Sequence, residues 1–159
     1  MAHTPNMELA RATFATLCRT LEMHDWRYEK DEETMTLTCS AKGDDLPMEF
    51  TVKIDAERMV VVMFSYMPFT IQEDKRLDAA LAITAVNYAL VHGTFDYNIA
   101  TGDIYFRMTN SFLDSTLSEE LLAYMLFCSC KTIDDYNDKF LMLSKGMISL
   151  EQFLKSLDN

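Results

Sequence analysis

The chain predicts an α+β fold, with helices packed on an antiparallel sheet in the order helix, strands, helix, hairpin, helix. Three observations lead there. Apolar residues alternate with threonine and lysine through Met35–Cys39 and again through Phe50–Ile54, the period of a half-buried strand. Apolar residues at helical spacing mark the start, the middle and the end of the chain. Between the last two helical stretches lies "TFDYNIATGDIYFRMT", which reads as a hairpin.

The first helix is expected to take Thr4 as its N-cap and Pro5 as its first residue. Ala10, Phe14, Leu17 and Leu21 supply its apolar stripe. Four candidate strands follow, of which three can be placed by pattern. In the first of these Met35, Leu37 and Cys39 alternate with Thr34, Thr36 and Thr38; in the next Phe50, Val52 and Ile54 alternate with Thr51 and Lys53. "RMVVVMFSY" differs, because both of its alternating sets are apolar: Met59, Val61 and Met63 on one side, Val60, Val62, Phe64 and Tyr66 on the other. A strand covered on both faces has this composition. Its neighbours each have a polar outer face, so something must cover the second row.

Thr70 and Glu73 have the spacing of a capping box for the second helix, which should continue to Gly93. Ala80, Ile83, Asn87 and Leu90 would share one of its faces. In the hairpin Phe95, Tyr97 and Ile99 point one way, as do Ile104, Phe106 and Met108, and Gly102 suits the positive backbone angle of the turn. Ser118 can cap the third helix, with Leu122, Met125, Ser129, Tyr136, Phe140 and Leu143 on its stripe and Gly146 at its end. Ser149 and Gln152 open a short terminal helix.

Composition narrows the function classes. A chain of 159 residues fits one domain, residues 1–159, and its four glycines and three prolines leave little room for flexible linkers. The formal charge of −11 repels phosphate backbones and anionic lipid, so neither nucleic acid nor membrane is an expected partner. The first residues lack the pattern of a secretory signal, and the longest apolar runs, Met59–Phe64 and Leu121–Cys128, are too short to span a bilayer. Cys18, Cys39, Cys128 and Cys130 sit among apolar neighbours without framework spacing, which points to free thiols and a cytoplasmic location.

No stretch spells out a reaction. Gly93 and Gly102 match neither a dinucleotide nor a phosphate loop. His3, His24 and His92 are scattered, and Cys128 and Cys130, two apart on a helix, point about 200° away from each other. No metal or other cofactor is expected, and no catalytic residue. Asn87 needs partners for its amide, and the hairpin backbone can supply them. Arg107 lies near Asp96 and Asn98, an arrangement suited to a cross-strand charged pair or to an anionic ligand. Most of the twelve methionines read as core filler, although methionine-rich surfaces also bind adaptable partners.

With these elements placed, "MEFTVKIDAERMVVVMFSYMPFTIQED", "AVNYALVHGTFDYNIATGDIYFRMT" and "FLMLSKG" together resemble the YbjN family of bacterial proteins. Asn87, Gly93, Phe95, Gly102, Arg107 and Gly146 carry the likeness. The resemblance implies a fold similar to type III secretion chaperones, which are small, acidic, often dimeric and bind other proteins. It also implies a role in regulating sensory transduction, and it transfers no catalytic motif. The expected function is a non-enzymatic protein-binding module, chaperone- or adaptor-like. Met59, Val61, Met63, Phe64 and Tyr66 would form its partner surface or a homodimer contact, and Asn87, Gly93 and Gly102 would be structural. The alternative is a small-ligand sensor using Asn98 and Arg107 on the polar face of the 94–109 hairpin.

Overall fold

The computed structural model describes residues 5–157. Its elements are α1 (Met7–Met23), β1 (Tyr28–Asp31), β2 (Thr36–Lys42), β3 (Pro47–Asp55), β4 (Val60–Thr70), α2 (Arg76–Ala89), β5 (Thr94–Asn98), β6 (Asp103–Ser111), α3 (Glu119–Ser144) and α4 (Leu150–Lys155). The six strands make one antiparallel sheet in the order β1-β2-β3-β4-β6-β5. β1 to β4 form a meander. α2 then carries the chain past the sheet so that the β5–β6 hairpin returns with β6 beside β4. The α+β fold expected from the sequence is the one observed.

Register decides which side of each strand is core. Leu37 pairs with Val52, Val52 with Met63 and Met63 with Met108, so one apolar row crosses four strands. All four side chains are buried, and a row of this kind belongs to the helix-covered face. One residue along, Thr36 pairs with Lys53, Lys53 with Val62 and Val62 with Thr109. On this second face Thr38, Lys53 and Tyr66 are exposed, and no described helix buries it.

The helices follow the sequence reading in outline and correct it in three places. α1 is capped by Asn6, whose Oδ1 accepts a hydrogen bond from the Leu9 N–H at 2.9 Å. Pro5 therefore precedes the cap, while Thr4 and His3 lie outside the described residues. The expected capping box of Thr70 and Glu73 is not formed. Thr70 remains the last residue of β4, paired with Asp103, and a 3₁₀ turn at Glu73–Lys75 leads into the helix. Finally, α2 ends at Ala89 and buries Ala79, Ala82, Ile83 and Val86. The expected face through Ala80, Ile83, Asn87 and Leu90 shares only Ile83 with this one and is rotated from it by roughly 70° at 100° per residue.

α3 is capped by Ser118, and Leu122, Met125, Ser129, Phe140 and Leu143 of its stripe are buried. Ile133 and Asn137 fill the line through its middle, while Tyr136 is half-buried at the edge. The box opening α4 is present in both directions: the Gln152 N–H donates to Ser149 Oγ at 3.2 Å, and the Ser149 N–H donates to Gln152 Oε1 at 2.8 Å.

Two glycines fix the hairpin. Gly102 turns at φ +84°, with its N–H on the Asn98 carbonyl and its carbonyl accepting from the Ile71 N–H at 2.8 Å. Gly93, at φ +74°, lies against the Phe106 ring, in the space a Cβ would occupy. Both a left-handed angle and a close approach therefore demand glycine there.

Candidate functional site

The uncovered face of the sheet is where the two-faced strand meets solvent. Along β4 the side chains alternate, so Val61, Met63, Ser65 and Met67 face the helices while Val60, Val62, Phe64 and Tyr66 face outward. Antiparallel pairing then places β6 residues beside them: Thr109 by Val62, Arg107 by Phe64, Tyr105 by Tyr66. The three aromatic rings form a cluster. Phe64 meets Tyr66 edge-on at 5.9 Å between centroids, Tyr66 lies 5.0 Å from Tyr105, and Phe64 lies 6.4 Å from Tyr105. Such offset and edge-on pairs stabilise by about 0.5–1.5 kcal/mol beyond area burial. They also preorganise the rings. Tyr66 keeps 56% of its surface exposed.

The cluster has a polar border. Arg107 Nε donates to Asp96 Oδ2 at 2.5 Å, and Nη2 donates to Oδ1 at 3.2 Å, a two-point grip across β5 and β6. That hydrogen bond to Asp96 raises the Arg107 pKa further above its ordinary value. Burial raises the Tyr105 hydroxyl's pKa, with the Asp96 carboxylate adding to it, so the phenol stays neutral and able to donate. On the other side a shallow recess of about 310 Å³ opens beside Phe64 and Tyr66, bounded by Pro47, Thr51 and Pro68. A register shift between Tyr66 and Thr70 bends the strand where the recess lies.

The residues singled out in the sequence therefore part company. Phe64 and Tyr66 are on this face. Met59, Val61 and Met63 are not: all three are buried, and they cannot line a partner surface. Val61 and Met63 point at the helices. Met59 turns at φ +55° between β3 and β4, where its carbonyl accepts from the Phe112 N–H and its sulfur receives the Asn6 N–H. Asn98 and Arg107 are not brought together either. Asn98 is paired with Asp103 and Arg107 with Thr94, so four residues separate them along the hairpin, roughly 13 Å. The Asn98 Oδ1 accepts from the Ala100 and Thr101 N–H groups of the turn, and Arg107 is bound to Asp96. Neither is an open anion ligand.

Asn87 serves an edge. Its Nδ2 donates to the Phe95 carbonyl at 2.9 Å and its Oδ1 accepts from the Phe95 N–H at 2.8 Å. A single amide thus takes the place of a neighbouring strand on the free side of β5. The expected cross-strand pair of Arg107 with Asp96 is formed on the outer face, whereas sequence reasoning missed Tyr105 there. The available signal was alternation: Tyr105 lies between Ile104 and Phe106, both buried.

A family model described as "Putative bacterial sensory transduction regulator", YbjN, matches residues 13–142. The chain belongs to the YbjN family. A crystal structure of YbjN from E. coli, titled a "putative transcription regulator", has a TM-score of 0.57 and 11% identity to it. That match covers 77% of this chain and 86% of the other, and at this identity it shows the shared fold. No curated protein matches the chain. The YbjN description is that of a regulator. Among the described residues no three His, Cys, Asp or Glu side chains are placed to hold a metal, and no helix is long and apolar enough to cross a membrane.

Proposed function

We propose that this YbjN protein is a non-enzymatic protein-binding module, adaptor- or chaperone-like, that receives its partner on the uncovered sheet face. One observation carries the reading: Phe64, Tyr66 and Tyr105 form a preorganised aromatic cluster on a face that no described helix buries. Tyrosine and arginine dominate the energetics of protein interfaces because they combine large contact area with a polar tip. Here Arg107 borders the rings and is held in place by Asp96. The formal charge of −11 favours a basic partner segment and speeds its approach. The family description as a regulator is compatible with an adaptor that acts by occupying another protein. A cytoplasmic location is supported by the thiols. All four are unpaired, as cysteines in a reducing compartment are.

The test is quantitative. A partner is captured from native cells on the tagged chain, purified and titrated calorimetrically against the parent and against Tyr66→Ala and Tyr105→Ala. Truncating a central aromatic of an interface costs about 2 kcal/mol or more, so each variant should bind at least tenfold more weakly while melting like the parent. Equal affinity in parent and variants would overturn the assignment of this face.

A further inference from the structure

The sheet parts between β3 and β4. Their ladder runs from the Asp55–Val60 pair to the Thr51–Phe64 pair and stops there. β3 still pairs with β2 as far as Pro47, and β4 with β6 through Tyr66. Continued by two and then four residues, the same register sets Glu49 against Tyr66 and Pro47 against Pro68. Two facing prolines have no N–H to donate, so the rung between them cannot form. The recess of about 310 Å³ lies in this gap, with Thr51 and Phe64 at its inner end, Glu49 and Tyr66 at its sides and the two prolines at its mouth. Glu49 is exposed and makes no ion pair among the described residues, and no Lys or Arg lines the recess.

We infer, resting on the sheet-face reading, that this recess takes one cationic side chain of the partner, a lysine or an arginine. Three features select that occupant. First, Phe64 and Tyr66 stand at 87° to each other, so the recess is walled by aromatic rings, whose negative faces attract an ammonium or guanidinium. Among the described residues the cation–π contact is Lys139 over Tyr136, which leaves both of these rings free. Second, the unpaired Glu49 supplies the opposite charge at short range, and the formal charge of −11 has the same sign at long range. The cations nearby are engaged or turned away: Arg107 is gripped by Asp96, Arg27 shares the wider hollow over β1–β3 with Glu29, and Lys53 lies beyond the last rung, opposite Val62. Third, the space is that of one long side chain. It equals the volume of about ten waters, too little for a helix, and Pro47, Phe64 and Pro68 offer apolar surface along which an alkyl stem can lie.

The experiment is an NMR titration of the full chain with the N-acetyl N-methylamides of lysine, arginine and norleucine. The two cationic probes should shift the resonances of Glu49, Phe64 and Tyr66 saturably, and added salt should weaken them. Norleucine, with a similar stem and no charge, should bind about tenfold more weakly. Glu49→Gln should weaken the cationic probes about fivefold and Tyr66→Leu about threefold, with norleucine unchanged by the first. Both side chains are exposed, so each variant should keep the parent's circular dichroism. Equal binding of norleucine and lysine, cationic binding unchanged in Glu49→Gln, or shifts confined to another part of the chain would overturn the inference. Titrating the captured partner separates this failure from that of the sheet-face reading. Affinity lost in Tyr66→Ala and Tyr105→Ala but kept in Glu49→Gln retains the face and overturns the recess, whereas affinity unchanged in all three overturns the face and, with it, the partner as the source of the cation.

Discussion

Replacing Asn87 by leucine isolates the contribution of one amide to the sheet edge. The side chain makes two hydrogen bonds to the Phe95 backbone, at 2.9 and 2.8 Å, in a part-buried position between α2 and β5. Leucine is close in size and favours helix, so packing and propensity change little. What changes is that the Phe95 N–H and C=O lose their partners. Each buried unpaired group costs about 1–3 kcal/mol, and partial access of water to this edge favours the lower half of that range, so roughly 3 kcal/mol is expected for the two. For a chain of this size that lowers Tm by about 6–12 °C. Calorimetry gives the melting temperature, and hydrogen exchange at Phe95 locates the loss. Asn87→Asp, which keeps the acceptor for the Phe95 N–H, should fall between leucine and the parent. Were Asn87→Leu to melt within a degree or two of the parent with the Phe95 amide still protected, the edge would be held by something else.

Gly93→Val should destabilise more than Asn87→Leu, because a β-branched residue at φ +74° is strained and its Cβ must displace the Phe106 ring; chemical denaturation measures it. Val61→Glu buries an unpaired charge and should prevent folding, whereas Val62→Glu lies on the outer face opposite Lys53 and should fold, both judged by circular dichroism. Burial pushes the Cys39 thiol up to about 12 and the Cys130 thiol to about 11, from an ordinary 9.0, so both should resist alkylation at neutral pH until the chain is unfolded. The same shifts give stability a pH limit. Both thiols are protonated in folded and unfolded chains below pH 9.0, but above it the unfolded chain releases protons that the folded one keeps. Stability from this source should therefore decline as pH rises from about 9 toward 11, and urea titrations across that range will show it.

The reach of the sequence differs from element to element for physical reasons. α1, α3 and the hairpin announce themselves because each has a single apolar face, so the period alone gives both the element and its orientation. β1 has the composition Tyr-Glu-Lys-Asp and no apolar row of its own; it exists because it pairs with β2 at the sheet edge. α2 was given the wrong buried face because both its faces are apolar, and a helix with two stripes has no unique moment. β4 poses the same ambiguity with period two. Its double apolar character was plain, but which row meets the helices depends on Met63 falling between Val52 and Met108, and register appears only once strands pair. The capping box at Thr70 failed because the hydroxyl-bearing residue was claimed by the sheet. The outer aromatic cluster joins Phe64 and Tyr66 to Tyr105, some forty residues later in the chain, and only the β4–β6 pairing brings them together.

The most direct measurement is site-specific photo-cross-linking in living cells, with a photoreactive phenylalanine analogue placed in turn at Tyr66, Tyr105 and Thr38. All three positions lie on the same sheet face, and Thr38 is exposed on β2 outside the aromatic cluster. Binding through the cluster predicts one heterologous protein adduct at Tyr66 and at Tyr105, the same in both, and a much weaker one at Thr38. Uniform labelling of many proteins at all three positions, or adducts at Thr38 alone, would contradict it.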